Sequence, residues 1–155
     1  MSTPIPPFAV QAGEGTTVRT PLGDSALIKA SREQTGGSMS VIELVVGPRQ
    51  GPALHRHHRE DELWFVLDGE FRFKAGDQLL RASTGGMAFG PRGTAHCFQN
   101  VGDEAGRLLI VTTPGGLEGF FLDFAARPAP ELLAEVGLAN GIEFIGPPLA
   151  VSDPF

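Results

Sequence analysis

The sequence predicts an all-β fold, a jelly-roll β-barrel carrying short C-terminal helices, and three observations lead to it. Twenty-one glycines and 13 prolines among 155 residues divide the chain into short pieces separated by turns. Between Ala26 and Thr113 the pieces alternate apolar and polar residues, with no helical stretch among them. Helical spacing begins only after Pro114-Gly115-Gly116. Closing such strands into a barrel removes the exposed edges that an open sheet would present.

The elements follow in order. Residues 1–25 are rich in Pro, Gly and Thr and are expected to form an irregular arm or an edge strand. Ala26–Ser31 and Met39–Val46 flank Thr35-Gly36-Gly37-Ser38, where two glycines supply the positive φ of a tight turn. Glu62–Leu67 and Glu70–Ala75 are expected to pair as a hairpin through Asp68-Gly69, with Phe71 and Phe73 on one face. A turn at Ala75-Gly76-Asp77 leads to Gln78–Arg81, and Gly85-Gly86 leads to Met87–Phe89. After Pro91-Arg92-Gly93 come His96–Asn100 and then Leu108–Thr113. These strands make residues 26–113 the barrel. In 114–155, Leu117–Ala126 spaces Leu117, Phe120, Phe121 and Phe124 as a helix face that packs on the barrel or closes one mouth of it. Pro130–Val136 reads as a second short helix, opened by Pro130 and ended by Gly137, and Ile142–Pro148 as an extended tail.

Composition excludes several function classes. A net charge of −6 and a pI near 5.1 leave no basic stripe for nucleic acid, and disfavour anionic membrane surfaces. The single cysteine, Cys97, rules out an internal disulfide and is expected to be a small buried hydrophobe. A reducing compartment, no signal peptide and no membrane span together predict a cytoplasmic protein.

The chemistry lies in two clusters. His55 and His57 are two residues apart, so on an extended strand both imidazoles face one side. Glu62 follows at an odd offset, which works if the strand ends near His58 and a neighbouring strand begins near Asp61. His96 follows the Pro91-Arg92-Gly93 turn. Three neutral imidazoles and one carboxylate suit one divalent transition metal: Fe, Mn, Ni, Cu or Zn. Four protein ligands leave positions open for water, oxygen or substrate.

The run His55-Arg56-His57, Glu62, Gly69 resembles the first cupin motif, with one, four and six residues intervening. Gly85, Pro91, Gly93, His96 and Asn100 are similar to the second. One position departs: six residues before the first His the family often has Gly, and this chain has Arg49, with Gly47 and Gly51 nearby. His58 is expected to be solvated, and Glu60 and Asp61 compete with Glu62 as the carboxylate ligand, with spacing favouring Glu62. Trp64 and Val66 share the parity of Glu62 and, with Phe89 and Phe98, are candidates for core packing or a substrate pocket. Arg49, Arg56, Arg72 and Lys74 are expected at the surface rather than around an anionic substrate. Asn100 is expected to fix one barrel end by side-chain hydrogen bonds.

The resemblance implies a small metal-dependent cupin. The first expectation is an oxidoreductase similar to quercetinase-like dioxygenases, acting on a small hydrophobic or aromatic enol-type substrate with Glu62 as ligand or general base. The second is a metal-assisted isomerase, lyase or dehydratase; the third is a non-catalytic domain that binds a small molecule. Nucleotide-sugar epimerases of the superfamily use a catalytic tyrosine, and the chain has none. The expected partners are a small-molecule substrate and a second copy of the chain, as a homodimer, with no nucleic acid and no membrane.

Overall fold

Successive side chains on a strand point to opposite faces, and that alternation decides what fills the interior. The computed structural model of the chain describes residues 3–155. Its strands are β1 (Thr16–Arg19), β2 (Ser25–Ala30), β3 (Ser40–Val46), β4 (Ala53–His57), β5 (Asp61–Asp68), β6 (Glu70–Ala75), β7 (Gln78–Ser83), β8 (Met87–Gly90), β9 (His96–Asn100), β10 (Gly106–Thr113) and β11 (Ile142–Pro148). Two antiparallel sheets form, ordered β1-β2-β3-β10-β5-β8 and β11-β4-β9-β6-β7. Their inner faces meet over Ile42, Val46, Trp64, Val66, Phe71, Phe73 and Leu108, all essentially without solvent contact. This is the jelly-roll arrangement, with short helices α1 (Glu118–Ala126), α2 (Leu133–Ala139) and α3 (Leu149–Ser152) after β10.

Four expectations change. The strands on either side of Asp68-Gly69 do not pair: β5 lies between β10 and β8, while β6 lies between β9 and β7 in the opposite sheet. Gly69, at φ 103°, is where the chain turns a corner between sheets, and the true hairpin is β6–β7 with Ala75 opposite Gln78. Residues 26–113 do not hold every strand of the two sheets: β11, in the expected extended tail, pairs with β4, while β1 is the edge strand allowed for in residues 1–25. The second helix does not stop at Gly137. That residue is buried inside α2, where a Cβ would lie 2.8 Å from the Ile142 carbonyl oxygen and 2.9 Å from the Phe144 ring, so it serves close packing. The helix runs on to Ala139, and Gly141, at φ 73°, follows its end. Finally, Arg72 is not at the surface. It is buried on the outer face of β6, donating to Gln99 Oε1 at 2.7 Å and to the carbonyls of Leu149 and Asp153, which straps the C-terminal tail across β6 and β9.

The turn before β4 carries the one departure noted from the motif. Arg49 sits at φ 62°, the left-handed region that glycine occupies without cost. The barrel end beside it is fixed by Asn100, fully buried, whose Nδ2 donates to the carbonyls of Val46 (3.0 Å), Gly47 (3.2 Å) and Glu104 (2.8 Å). Its Oδ1 accepts from the Gly102 amide at 2.8 Å. Leaving those buried groups unpaired costs about 2–3 kcal/mol. Asn100→Ala is therefore expected to lower the urea midpoint by that much free energy at unchanged m-value; an unshifted midpoint would mean the network does not hold the barrel end.

Candidate metal centre

Strand parity builds the site. On β4, His55 and His57 point into the barrel while Arg56 points out. The chain reverses through His58–Glu60, and β5 then returns Glu62 to the interior. His96 opens β9, in register opposite His55. The four side chains are 8%, 2%, 3% and 1% exposed in the order His55, His57, Glu62, His96, and one ligand atom from each lies within 4.8 Å of every other. The odd offset to Glu62 works because the residues between lie in the turn from one sheet to the other.

What lies between these groups matters more than how near they are. Glu62 Oε2 is 3.1 Å from His57 Nε2 and 2.9 Å from His96 Nε2. Yet Glu62 Oε2 and His96 Nε2 are buried and make no aligned hydrogen bond. Buried polar atoms without partners are rare and costly. Donors bound to one ion at about 2.1 Å and at right angles lie about 3 Å apart, so these spacings fit a shared divalent ion. His55, His57, Glu62 and His96 are a group that can hold a metal, and the donor set of three imidazoles and a carboxylate suits a transition metal.

The surroundings tune the ligands. Burial and the neighbouring His96 and His57 push His55 down to about 3, which keeps its imidazole neutral. Its Nδ1 lies 2.7 Å from the Ala53 carbonyl, which leaves Nε2 for the shared point. For His57 burial opposes a charge, but Glu62 and then Glu60 outweigh it and raise the group to about 9. Burial alone would raise Glu62, whereas His57 and His96 hold it well below the usual carboxylate range. Glu60, 3% exposed, is not a ligand: its Oε2 lies 3.2 Å from His57 Nδ1 on the far side of the ring. A carboxylate there fixes the tautomer that turns Nε2 inward. Asp61 is outside the group and accepts from the Arg92 amide at 2.9 Å. His58 is half-exposed and meets Glu143 at 2.9 Å.

The pocket candidates divide. An apolar cavity of about 280 Å³ opens onto His55, His57 and Glu62, and Phe98 lines it. Trp64 and Val66 lie behind it in the core, with the Trp64 ring 4.8 Å from His96. Phe89 is neither core nor pocket: Ala88 and Gly90 take the inward positions of β8, and Phe89 is 50% exposed on the outer face opposite Leu63. Gly90 has to lack a side chain, since a Cβ would meet Trp64 at 2.7 Å and His96 Nδ1 at 3.0 Å. Sequence reasoning missed Phe144 and Leu133 as cavity lining, because the pairing of β11 with β4 brings Phe144 there and the packing of α2 on β11 brings Leu133. Cys97 is buried on the opposite face of β9 from His96, and burial raises its thiol to about 11.

Comparison with known proteins agrees with this arrangement. The cupin domain family matches residues 41–112, from β3 to β10. An uncharacterised protein of Streptomyces coelicolor is 30% identical over 57 residues, which cover 37% of this chain and 53% of that protein, so the match spans about half of the relative's length. A predicted oxalate decarboxylase from Thermotoga maritima superposes with a TM-score of 0.63 at 22% identity, covering 69% of this chain and 99% of that one. An RmlC-like cupin from Shewanella frigidimarina superposes with a TM-score of 0.59 at 14% identity, covering 70% and 93%. At such identities the two structures share the fold with this chain. Among the described residues, no helix is long and apolar enough to cross a membrane.

Two outcomes follow. Trp64 is the single tryptophan, so titration with Cu²⁺ or Ni²⁺ is expected to quench its emission at one equivalent. Glu60→Gln is expected to weaken metal binding about 10–100-fold, and His57→Ala by more; unchanged affinity in His57→Ala would contradict the site. The second outcome concerns pH. Because His57 is raised, the metal-free protein keeps its proton below about 9, and an incoming ion must displace it. Affinity is expected to rise with pH, about tenfold per unit, until pH passes that value, with one proton released on binding as measured by calorimetry in buffers of different ionisation enthalpy.

Proposed function

We propose that this chain, whose residues 41–112 match the cupin domain family, is a mononuclear non-haem metal dioxygenase acting on a small hydrophobic or aromatic substrate that presents an enol-type oxygen. The observation that carries this is the union of an apolar cavity with a ligand cluster at one end of it. A redox-active divalent ion held by His55, His57, Glu62 and His96 would supply a coordination position for the substrate oxygen and an electron partner for dioxygen. Both oxygen atoms end in the product, so no external reductant is required.

The protein's own groups supply the rest. Glu62 stays ionised beside His57 and His96, as a metal ligand must, and when displaced from the ion it would be within reach of the enol proton. Glu60 keeps His57 turned inward. The hydrocarbon walls exclude water and strengthen every charge interaction within.

One observation favours a second reading, a metal-assisted isomerase, lyase or dehydratase: the Glu62 carboxylate lies at the cavity end beside His57 and His96, where it can move a proton without any redox step. Decarboxylation of oxalate fits less well, because among the described residues the cavity lining holds no Lys or Arg to receive a distal carboxylate. A non-catalytic small-molecule binder is what remains if neither turnover exists. For the partner, the reading is a second copy: Phe65, Met87 and Phe89 are exposed on neighbouring strands β5 and β8, and Phe65 lies opposite Met87.

The test is oxygen uptake on an electrode with enolised β-diketones and ortho-diphenols, using protein whose native metal has been identified. The expected result is one dioxygen consumed per substrate by the iron-, copper-, manganese- or nickel-loaded chain, and at least a hundredfold loss in Glu62→Gln. Zinc alone in the purified protein, with no oxygen uptake, would overturn the oxidative reading in favour of the second.

A further inference from the structure

The family match ends at residue 112, yet much of the cavity wall comes from residues beyond it. Phe120 and Phe121 reach in from α1, Leu133 from α2, and Ile142 and Phe144 from β11. Aromatic rings form a continuous row leading away from the ligand cluster: His55 to Phe144 at 5.6 Å between centroids, Phe144 to Phe120 at 6.1 Å, and Phe120 to Phe121 at 5.4 Å. Leu22 and Pro21, from the β1–β2 turn, also line the cavity. Apart from His55, His57 and Glu62, the polar residue in the lining is Thr20.

This wall is built to hold its shape. The pairing of β11 with β4 places Phe144 opposite His55, so strand register fixes the first ring of the row. Gly137 lets α2 approach the Phe144 ring closely. Asn140, at the end of α2, donates to Asp123 Oδ2 of α1 at 2.9 Å and ties the two helices together. A preformed apolar wall loses little on binding, so buried hydrocarbon translates into affinity.

We infer that residues 117–148 are a specificity element, forming a subsite for an uncharged hydrocarbon tail on a substrate whose chelating polar head sits at His55, His57 and Glu62. The inference rests on the metal-site reading above. The cavity, about 280 Å³, is just below the roughly 300–1,000 Å³ usual for small-molecule sites, which limits the tail to a single ring or a short branched chain. A carboxylate or phosphate on that tail would be stranded among Phe120, Phe121, Leu133 and Phe144 with no partner.

Hydroxamates test this without turnover, since they chelate metal through a constant head and carry a variable tail. Calorimetric affinities for the zinc-loaded full chain would be compared across acetohydroxamate, butanohydroxamate, benzohydroxamate and 4-carboxybenzohydroxamate. Affinity is expected to rise about fourfold per methylene and at least tenfold from acetohydroxamate to benzohydroxamate, and to fall when the tail carries the carboxylate. Phe120→Ala is expected to reduce the benzohydroxamate-to-acetohydroxamate ratio at least fivefold. Leu133→Arg, at a half-buried position, is expected to reverse the preference towards the carboxylated probe, a gain that a misfolded variant could not show. A flat series, or 4-carboxybenzohydroxamate binding the unaltered chain as well as benzohydroxamate does, would overturn the subsite. Zinc content of the same samples separates the two readings: zinc retained with a flat series removes the tail subsite alone, while zinc lost removes the metal site and, with it, the anchor on which the subsite depends.

Discussion

A buried carboxylate that accepts no aligned hydrogen bond on Oε2 is expensive, and Glu62 is such a group, set among three imidazoles that are themselves nearly out of water. Removing an ion from water costs several kcal/mol unless a partner compensates it. His57 and His96 compensate in part through charge, which is why the carboxyl remains ionised. His96 Nε2, like Glu62 Oε2, nevertheless makes no aligned hydrogen bond, although the two atoms lie 2.9 Å apart. The rest of the molecule can be understood as the apparatus that holds this cluster together: two strands from one sheet for the histidines, a strand from the other for the glutamate, Glu60 behind His57, and Gly90 bare so that Trp64 and His96 can meet.

The same cluster explains the division of the cavity. Its polar end is concentrated on three side chains, and the remainder is hydrocarbon supplied partly by the barrel and partly by the C-terminal segment. Orientation would then come from the cluster and discrimination from the wall. The barrel provides the first through strand register, as where His55 faces His96. Sequence outside the matched domain would provide the second, through β11 and the two helices clasped by Asn140 and Asp123.

The site was legible in the sequence because its determinants are local. Alternation places His55 and His57 on one face, the spacing to Glu62 demands a turn, and both features survive any arrangement of the remaining strands. Asn100 was readable for the same reason, as a polar residue sharing the parity of His96. What could not be read depended on partners distant in sequence. Asp68-Gly69 has the composition of a hairpin turn, and only the identity of the neighbours, β10 and β8 on one side and β9 and β7 on the other, shows it to be a corner between sheets. Gly137 looks like a helix stop until Phe144 is seen packed against it. Phe89 is apolar and yet faces outward, because parity on β8 reserves the interior for Ala88 and Gly90. Phe144 gave no local signal at all, since its role follows from β11 pairing with β4.

Anomalous diffraction from crystals of the metal-loaded protein, collected on either side of the metal's absorption edge, tests the central claim most directly. The account predicts one peak per chain, about 2.0–2.3 Å from a nitrogen of His55, His57 and His96 and from a Glu62 oxygen. A peak held by other residues, or none at all with those four side chains ordered as described, would contradict it.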